Sequence, residues 1–383
     1  MSANATSHPQ FDTKVLKVDP NSISFSPSLQ ISDDETRDSL TQAASAIKNS
    51  QTVAFPTETV YGLGGSALNT PSVKAIYAAK NRPADNPLIA HVASLDQLKR
   101  KLYPHDIPDI YLPLLEKFWP GPLTILLPVP DDSKISPACT VGQSTFAVRM
   151  PSHPVARALI ALSDEPLAAP SANASTRPSP TRASHVFNDL NGRIPIILDG
   201  GPCDVGVESS VVDGLSDPPM LLRPGGISLE QLRQFGGPKW QNVVLAKPFV
   251  AENEVARTPG MKYKHYSPTS PVVLTRANSP SQKLLDFISS RAKDTPEMSM
   301  GVLSSRHFVD DGIIDKIQQL LVHGQVHHRS LGTSGSDISH NLFAYLRDFD
   351  IMGLDLIIVE GIDISDEGLA VMNRLEKAAT TLI

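Results

Sequence analysis

FPTETVYGLGG, residues 55–65, runs from an apolar strand end through a proline, two threonines flanking a glutamate, and three glycines. Thr52–Phe55 reads as a short strand bounded by turn residues. Pro56 fixes φ and removes an amide, so the residues after it read as a rigid loop at a strand end. Such loops hold ligand groups with little entropy left to lose. Gly62, Gly64 and Ala67 satisfy a loose GxGxxA, which invites a dinucleotide-binding reading. Against it, Pro56 and the Thr-Glu-Thr run interrupt the strand that should lead into the glycines, and no clear helix opens at Gly65. A glycine turn with locally satisfied threonines is the plainer alternative. No GxxxxGK[ST] occurs, so a bound ATP is not cradled by a Walker loop.

Outward from this stretch, strands and helices alternate. Asp33–Ser50 reads as a helix, with Leu40, Ala43, Ala44 and Ile47 at helical spacing behind polar caps. Ser72–Lys80 is a second helix, and Pro154–Leu162 and Ser184–Leu190 two more. Leu88–Val92, Leu123–Val129, Thr145–Met150, Leu167–Ala169, Ile194–Leu198, Ser209–Val212 and Met220–Leu222 are strand candidates. The pattern is that of an α/β domain with a mixed sheet, residues 31–246, with several polar loops at strand ends. Residues 1–30 read as an N-terminal arm contributing an edge strand over Lys14–Val18. Residues 247–269 break the pattern and end in a polar-aromatic cluster, so they read as a linker. Residues 270–383 read as a small C-terminal βαβ-type domain, with helices near Gln282–Arg291, Asp311–Leu321, Asp337–Phe349 and Glu367–Ala379 between strands.

Composition narrows the function classes. The chain has 383 residues, 40% hydrophobic and 19% charged, enough for one large domain and a smaller one. A net charge of −6 and a pI near 6.0 do not announce a nucleic-acid binder. Two cysteines, Cys139 and Cys203, make neither a disulfide framework nor a zinc spacing and suit a reducing compartment. No stretch approaches the roughly 18 apolar residues of a membrane span, and the N-terminus lacks a signal-peptide core. The expected location is cytoplasmic. The 33 prolines are dispersed through short motifs rather than massed in one tract.

Four further segments carry candidate chemistry. Lys80-Asn81-Arg82 follows a helix: either a solvated end whose cations offset the helix dipole, or a clamp for phosphates. Asn86 and His91 lie just downstream, where a lone strand histidine is commonly a packed core residue. Arg149 ends an apolar strand and is costly to bury unpaired, so its partner is a substrate carboxylate or a buried Asp or Glu. Ala169-Pro170-Ser171-Ala172-Asn173 offers small residues and neutral hydrogen-bonding groups, as an ordinary capped turn also would. Gly206-Val207-Glu208-Ser209-Ser210 and Leu222-Arg223-Pro224-Gly225 are glycine-flanked strand ends, one bringing hydroxyls and one an arginine.

Taken in order, PTETVYGLG, AKNRPADNPL, FWPGPLT, VRMPSHP, APSAN, GVESSVV and LLRPG resemble the YrdC/Sua5 family of threonylcarbamoyl-AMP synthases. MKYKHYSP and the C-terminal region resemble the longer Sua5 form. The resemblance implies a YrdC-like twisted open sheet lining a concave active site, plus the Sua5 C-terminal domain. It implies the family's KxR…SxN set on Lys80, Arg82, Ser171 and Asn173. ATP contacts would fall on Arg82, Asn86, Thr145, Ser171, Ser179 and Arg223. L-threonine contacts would fall on Thr59, His91, Arg149, Ala169 through its backbone, and Ser209 or Ser210. His265 and Tyr266 would fold over the nucleotide as a lid.

The activity implied is condensation of ATP, L-threonine and bicarbonate or CO2 into threonylcarbamoyl-AMP, which downstream machinery transfers to adenosine of tRNA. Mg²⁺ would arrive with ATP, held mainly by phosphates, and no tightly bound organic cofactor is expected. Competing readings are an RNA-binding module of the same fold using Lys80 and Arg82, an oxidoreductase built on Gly62 and Gly64, and carbamoyl transfer to another acceptor.

Overall fold

A computed structural model describes residues 11–246, 266–277, 279–321 and 323–383. The chain divides into two compact units. Among the described residues, the first comprises residues 11–175, 179–204 and 208–246. The second takes in the described residues from 266 to 383 together with 176–178 and 205–207.

The first unit is built on an eleven-stranded mixed sheet. Its spatial order is Lys14–Lys17, Ile196–Asp199, Val53–Phe55, Gly62–Ser66, Leu167–Ala168, Ile89–His91, Thr145–Arg149, Leu123–Pro128, Ser210–Asp213, Met220–Arg223 and Val244–Leu245. The arm's edge strand is present, parallel to Ile196–Asp199. The helix Asp34–Lys48 starts where Asp33 accepts a hydrogen bond from the Thr36 amide at 2.7 Å. It buries Leu40, Ala43, Ala44 and Ile47 in a cluster with Val53, Phe55 and helix Pro154–Ser163.

The glycine run differs from its sequence reading. Gly62–Ser66 is a strand, antiparallel to both Val53–Phe55 and Leu167–Ala168. A Cβ on Gly64 would sit 2.6 Å from Phe55 Cε1, so the strand lies directly on that ring. These glycines serve close packing rather than a phosphate turn, which removes the dinucleotide reading.

Paired strands bring polar ends together. His91 and Arg149 are register partners, as are Arg149 and Thr124. Paired residues share a sheet face, so all three side chains stand on one side. Beneath them on that side lies an apolar cluster of Ile89, Leu126, Ala147, Val211 and Leu222.

The second unit is a five-stranded parallel sheet in the order Gln325–Ser330, Ser299–Ser304, Leu356–Val359, Val272–Leu274, Thr381–Leu382. Helices Ser281–Asp294 and Ile313–Leu320 cover the face of Met300 and Val302. Gly301 points the other way, toward Phe349 of helix Gly335–Met352.

Candidate active site

Helix Thr70–Lys80 ends when Asn81 turns left-handed at φ 51°, and the Arg82 amide closes the turn on the Tyr77 carbonyl at 3.0 Å. That stop leaves Lys80 buried, only 2% exposed, which excludes a solvated helix end. Its ammonium donates to the carbonyls of Ser171 and Asn173, the latter at 2.6 Å, and approaches Asn173 Oδ1 at 3.4 Å. The KxR and SxN segments therefore meet through one cation. Arg82 is half-buried near Tyr77, whose phenol, pushed well above its ordinary value mainly by burial, is opposed by the guanidinium's field. Tyr77 donates to the Asn86 carbonyl at 2.7 Å and so anchors the loop. The Asn86 Oδ1 is buried with no hydrogen-bond partner among the described residues.

The 61–63 backbone is stitched to the 170–180 loop. Leu63 N donates to the Pro170 carbonyl, Ala172 N to the Tyr61 carbonyl and Tyr61 N to the Pro180 carbonyl, each at 2.8 Å. This brings the threonine loop alongside Ser171.

Arg149 resolves the two partners left open for it in favour of an acid. Nη2 donates to Glu58 Oε1 at 2.6 Å, Nη1 to Thr59 Oγ1 at 2.9 Å and Nε to the Gly121 carbonyl at 3.1 Å. A guanidinium has five N–H groups, so two remain, one on each terminal nitrogen. Glu58 is fixed in turn by the Ser152 amide at 3.1 Å, and Thr59 Oγ1 lies 2.7 Å from Thr57 Oγ1.

The polar chain continues through Thr124. Its hydroxyl is 2.8 Å from Ser209 Oγ, which accepts from Arg223 Nη2 at 3.1 Å. Arg223 also donates twice to the Ser209 carbonyl. Ser210 points elsewhere: its hydroxyl donates to the Ile227 carbonyl at 2.5 Å and accepts from the Ile227 amide at 2.9 Å. Ser209→Ala strands the buried Thr124 hydroxyl but leaves Arg223 on the Ser209 carbonyl, so it should disturb ligand binding at a stability cost of about 1 kcal/mol. Ser210→Ala strands a buried amide and carbonyl and should lower stability by about 2 kcal/mol. Thermal melts beside substrate titrations of both variants separate the two effects.

Ser179 donates to Glu208 Oε1 at 2.6 Å, and Glu208 directly precedes Ser209. The Ala169 amide is spent on the Ile89 carbonyl at 3.0 Å. Thr145 is half-buried at the opposite end of Arg149's strand, on the same face and roughly 13 Å away at about 3.3 Å per residue. His265 lies outside the described residues. Tyr266 belongs to the second unit, where it is buried with its ring centroid 5.3 Å from that of Phe343 and 5.8 Å from the Arg374 guanidinium.

His91 sits in this charged setting as a neutral imidazole. Burial first, then the Arg149 guanidinium, pushes its pKa down to about 3, and its Nδ1 is 3.1 Å from the Ile89 carbonyl. A depressed pKa stabilises the fold above the ordinary histidine value near 6.5. That contribution is lost as pH falls from there toward 3, with a limiting slope of about 1.4 kcal/mol per pH unit. His91→Gln should flatten the acid limb of stability over that window. An unchanged limb in urea titrations would contradict the assignment.

Glu58, Thr124 and Glu208 emerge as site residues to which the sequence assigned no role. A signal existed for Glu58, since a buried arginine needs an acid and Glu58 is flanked by two candidate threonines. Thr124 gave no signal.

The chain matches two family profiles: one described as telomere recombination, covering the Sua5, YciO and YrdC group, over residues 45–225, and the threonylcarbamoyl-AMP synthase C-terminal domain over residues 227–380. It is 50% identical to the threonylcarbamoyl-AMP synthase of Schizosaccharomyces pombe, across 97% of this chain and 98% of that relative. Identity to the Bacillus subtilis threonylcarbamoyl-AMP synthase is 43%, across 89% and 92%. Among solved structures, Pyrococcus abyssi Sua5 complexed with L-threonine superposes with a TM-score of 0.80 at 38% identity, covering 97% of this chain and 99% of that one.

Proposed function

The chain belongs to the Sua5/YrdC family of threonylcarbamoyl-AMP synthases, and we infer that it makes threonylcarbamoyl-AMP and pyrophosphate from ATP, L-threonine and bicarbonate. The observation that carries this reading at the level of residues is Arg149. Fixed on three sides, it keeps one N–H on each terminal nitrogen, and in this reading these meet the carboxylate of an amino acid.

In this reading Thr59 accepts or donates to the threonine hydroxyl, and Ser209 and the neutral His91 complete the pocket. The Ala169 carbonyl is the backbone group left for the amine. Arg82 faces the phosphates, and Lys80, its three N–H groups held by the Ser171–Asn173 loop, acts on them through its charge, with Asn86, Ser171, Asn173 and Ser179 as neutral donors and acceptors. Arg223, turned toward Ser209, stands at the α-phosphate side, and Thr145 marks the far end of the nucleotide.

The threonine amine adds to the carbon of bicarbonate or CO2; with bicarbonate a water is lost, and a carbamate forms. A carbamate oxygen then attacks the α-phosphorus of ATP, and the bond to the β-phosphate oxygen breaks, releasing pyrophosphate. This transfer needs alignment and charge neutralisation more than a protein nucleophile. The carboxylates nearby, Glu58 and Glu208, are engaged by Arg149 and Ser179. Mg²⁺ therefore enters as part of the MgATP substrate, held by phosphate oxygens. The product serves transfer to adenosine in tRNA by separate machinery. A reducing, cytoplasmic setting is supported by two buried free thiols, one of them, Cys139, pushed up to about 12 by burial.

The test is product identity. Incubation with ¹³C-bicarbonate should yield an adenylate carrying one added carbon-13, seen by mass spectrometry. An adenylate of threonine without the extra carbon would overturn the reading.

A further inference from the structure

We propose that Thr57 sets the specificity of the amino-acid pocket, by fixing Thr59 as a hydrogen-bond acceptor that only a donor on the ligand can satisfy. This rests on the threonine reading given above and adds to it the direction in which the hydroxyl bond must run. Its ground is a chain of four groups, on Arg149, Thr59, Thr57 and Val60, whose hydrogens can be placed by counting.

Both ends of the chain have a single polarity: a guanidinium only donates, and a backbone carbonyl only accepts. Arg149 Nη1 donates to Thr59 Oγ1 at 2.9 Å, and Thr57 Oγ1 lies 2.6 Å from the Val60 carbonyl oxygen. Two oxygens that close repel unless a hydrogen lies between them, and only Thr57 has one to give. A hydroxyl carries one hydrogen, so Thr57 has none left for Thr59. The 2.7 Å contact between the two hydroxyls is therefore made by the hydrogen of Thr59. The hydrogens all run one way, from the cation through both threonines to the carbonyl, and each bond polarises the next. The amides of Thr59 and Val60, each 3.2 Å from Thr57 Oγ1, hold that oxygen in place.

This decides what Thr59 can offer a ligand. Its hydrogen is on Thr57 and one lone pair is on Arg149, which leaves one lone pair and nothing to donate. Thr59 is buried, so a ligand that does not donate to that lone pair leaves it unpaired at a cost. Threonine meets the demand when its own hydroxyl hydrogen points at Thr59. A side chain of the same shape with an acceptor alone, or with no polar group, does not. Thr57 acts through Thr59 and is a positioning residue.

Inhibition constants against L-threonine, read from threonine-dependent pyrophosphate release, test the assignment with two analogues no larger than the substrate. L-2-Aminobutyrate lacks the hydroxyl. 2-Amino-3-fluorobutyrate of threonine's configuration replaces it with fluorine, which has no hydrogen to give. Both should bind about a hundredfold weaker than threonine or worse. The fluoro analogue should bind no tighter than 2-aminobutyrate, because its fluorine faces the Thr59 lone pair. Thr57→Val removes the acceptor of the Thr59 hydrogen and frees it for the ligand. The fluoro analogue should then bind tighter than 2-aminobutyrate, while threonine loses about tenfold. A merely structural loss would weaken all three alike. Thr57→Ser keeps a hydroxyl and should keep the wild-type order. A fluoro analogue that binds the wild type tighter than 2-aminobutyrate does, or an order unchanged in Thr57→Val, would overturn the proposal. If Thr57→Val does not fold, the wild-type order decides alone. Wild-type protein that releases no pyrophosphate with L-threonine would instead remove the reading on which the proposal rests.

Discussion

Lys80→Met is expected to cut turnover by about a hundredfold to a thousandfold and to destabilise the first unit at the same time. The ammonium is the group that joins the helix end to the Ser171–Asn173 loop, through two carbonyls and a side-chain amide oxygen. Removing it strands those carbonyls in a buried setting, at about 1–3 kcal/mol for each. On the proposed reading it also withdraws a fixed cation from the neighbourhood of the phosphates, and loss of one such preorganised group costs on the order of 10²–10³ in rate. Lys80→Arg keeps the charge but not the compact donor geometry. It should recover stability more than activity. A Lys80→Met enzyme with near-normal turnover would dismiss the phosphate role.

Arg149→Ala is the second large effect. The threonine KM should rise by about a hundredfold or more, since truncating one side of a desolvated charge pair costs about 2–5 kcal/mol. The ATP KM should change little. The substitution also leaves Glu58 buried without its cation, a cost of about 3–5 kcal/mol to stability. The double variant Arg149→Met with Glu58→Gln relieves that buried charge and should regain stability without regaining threonine affinity. Equal rises in both KM values would contradict the assignment.

Much of this arrangement was legible in the sequence because the motifs sit at strand ends, where proline and glycine mark boundaries. The helices ending at Lys48 and Lys80 follow from apolar spacing and capping residues, and the strands bearing His91 and Arg149 from β-branched and apolar runs. The strand Gly62–Ser66 was not legible, because glycine contributes neither β propensity nor a side chain to pattern. Its identity is fixed by the Phe55 ring on which it lies. The short helices Leu95–Lys101, Leu112–Phe118 and Leu229–Phe235 also escaped, since seven residues give too few turns to show a period.

Within the site, residue types were readable and partners were not. A strand arginine demands a partner, but only folding shows that Glu58 takes one terminal nitrogen and Thr59 the other. The choice between Ser209 and Ser210 is likewise a matter of register. Alternate residues face opposite sides of a strand, and the Ile227 loop claims Ser210.

In the proposed function, the cations around Lys80 and the pocket around Arg149 act on the two substrates of one reaction. Pyrophosphate release from MgATP, measured with bicarbonate present and threonine either added or omitted, puts that claim to its most direct test. Release should require threonine and match the adenylate formed one for one. Release that proceeds at the same rate without threonine would contradict it.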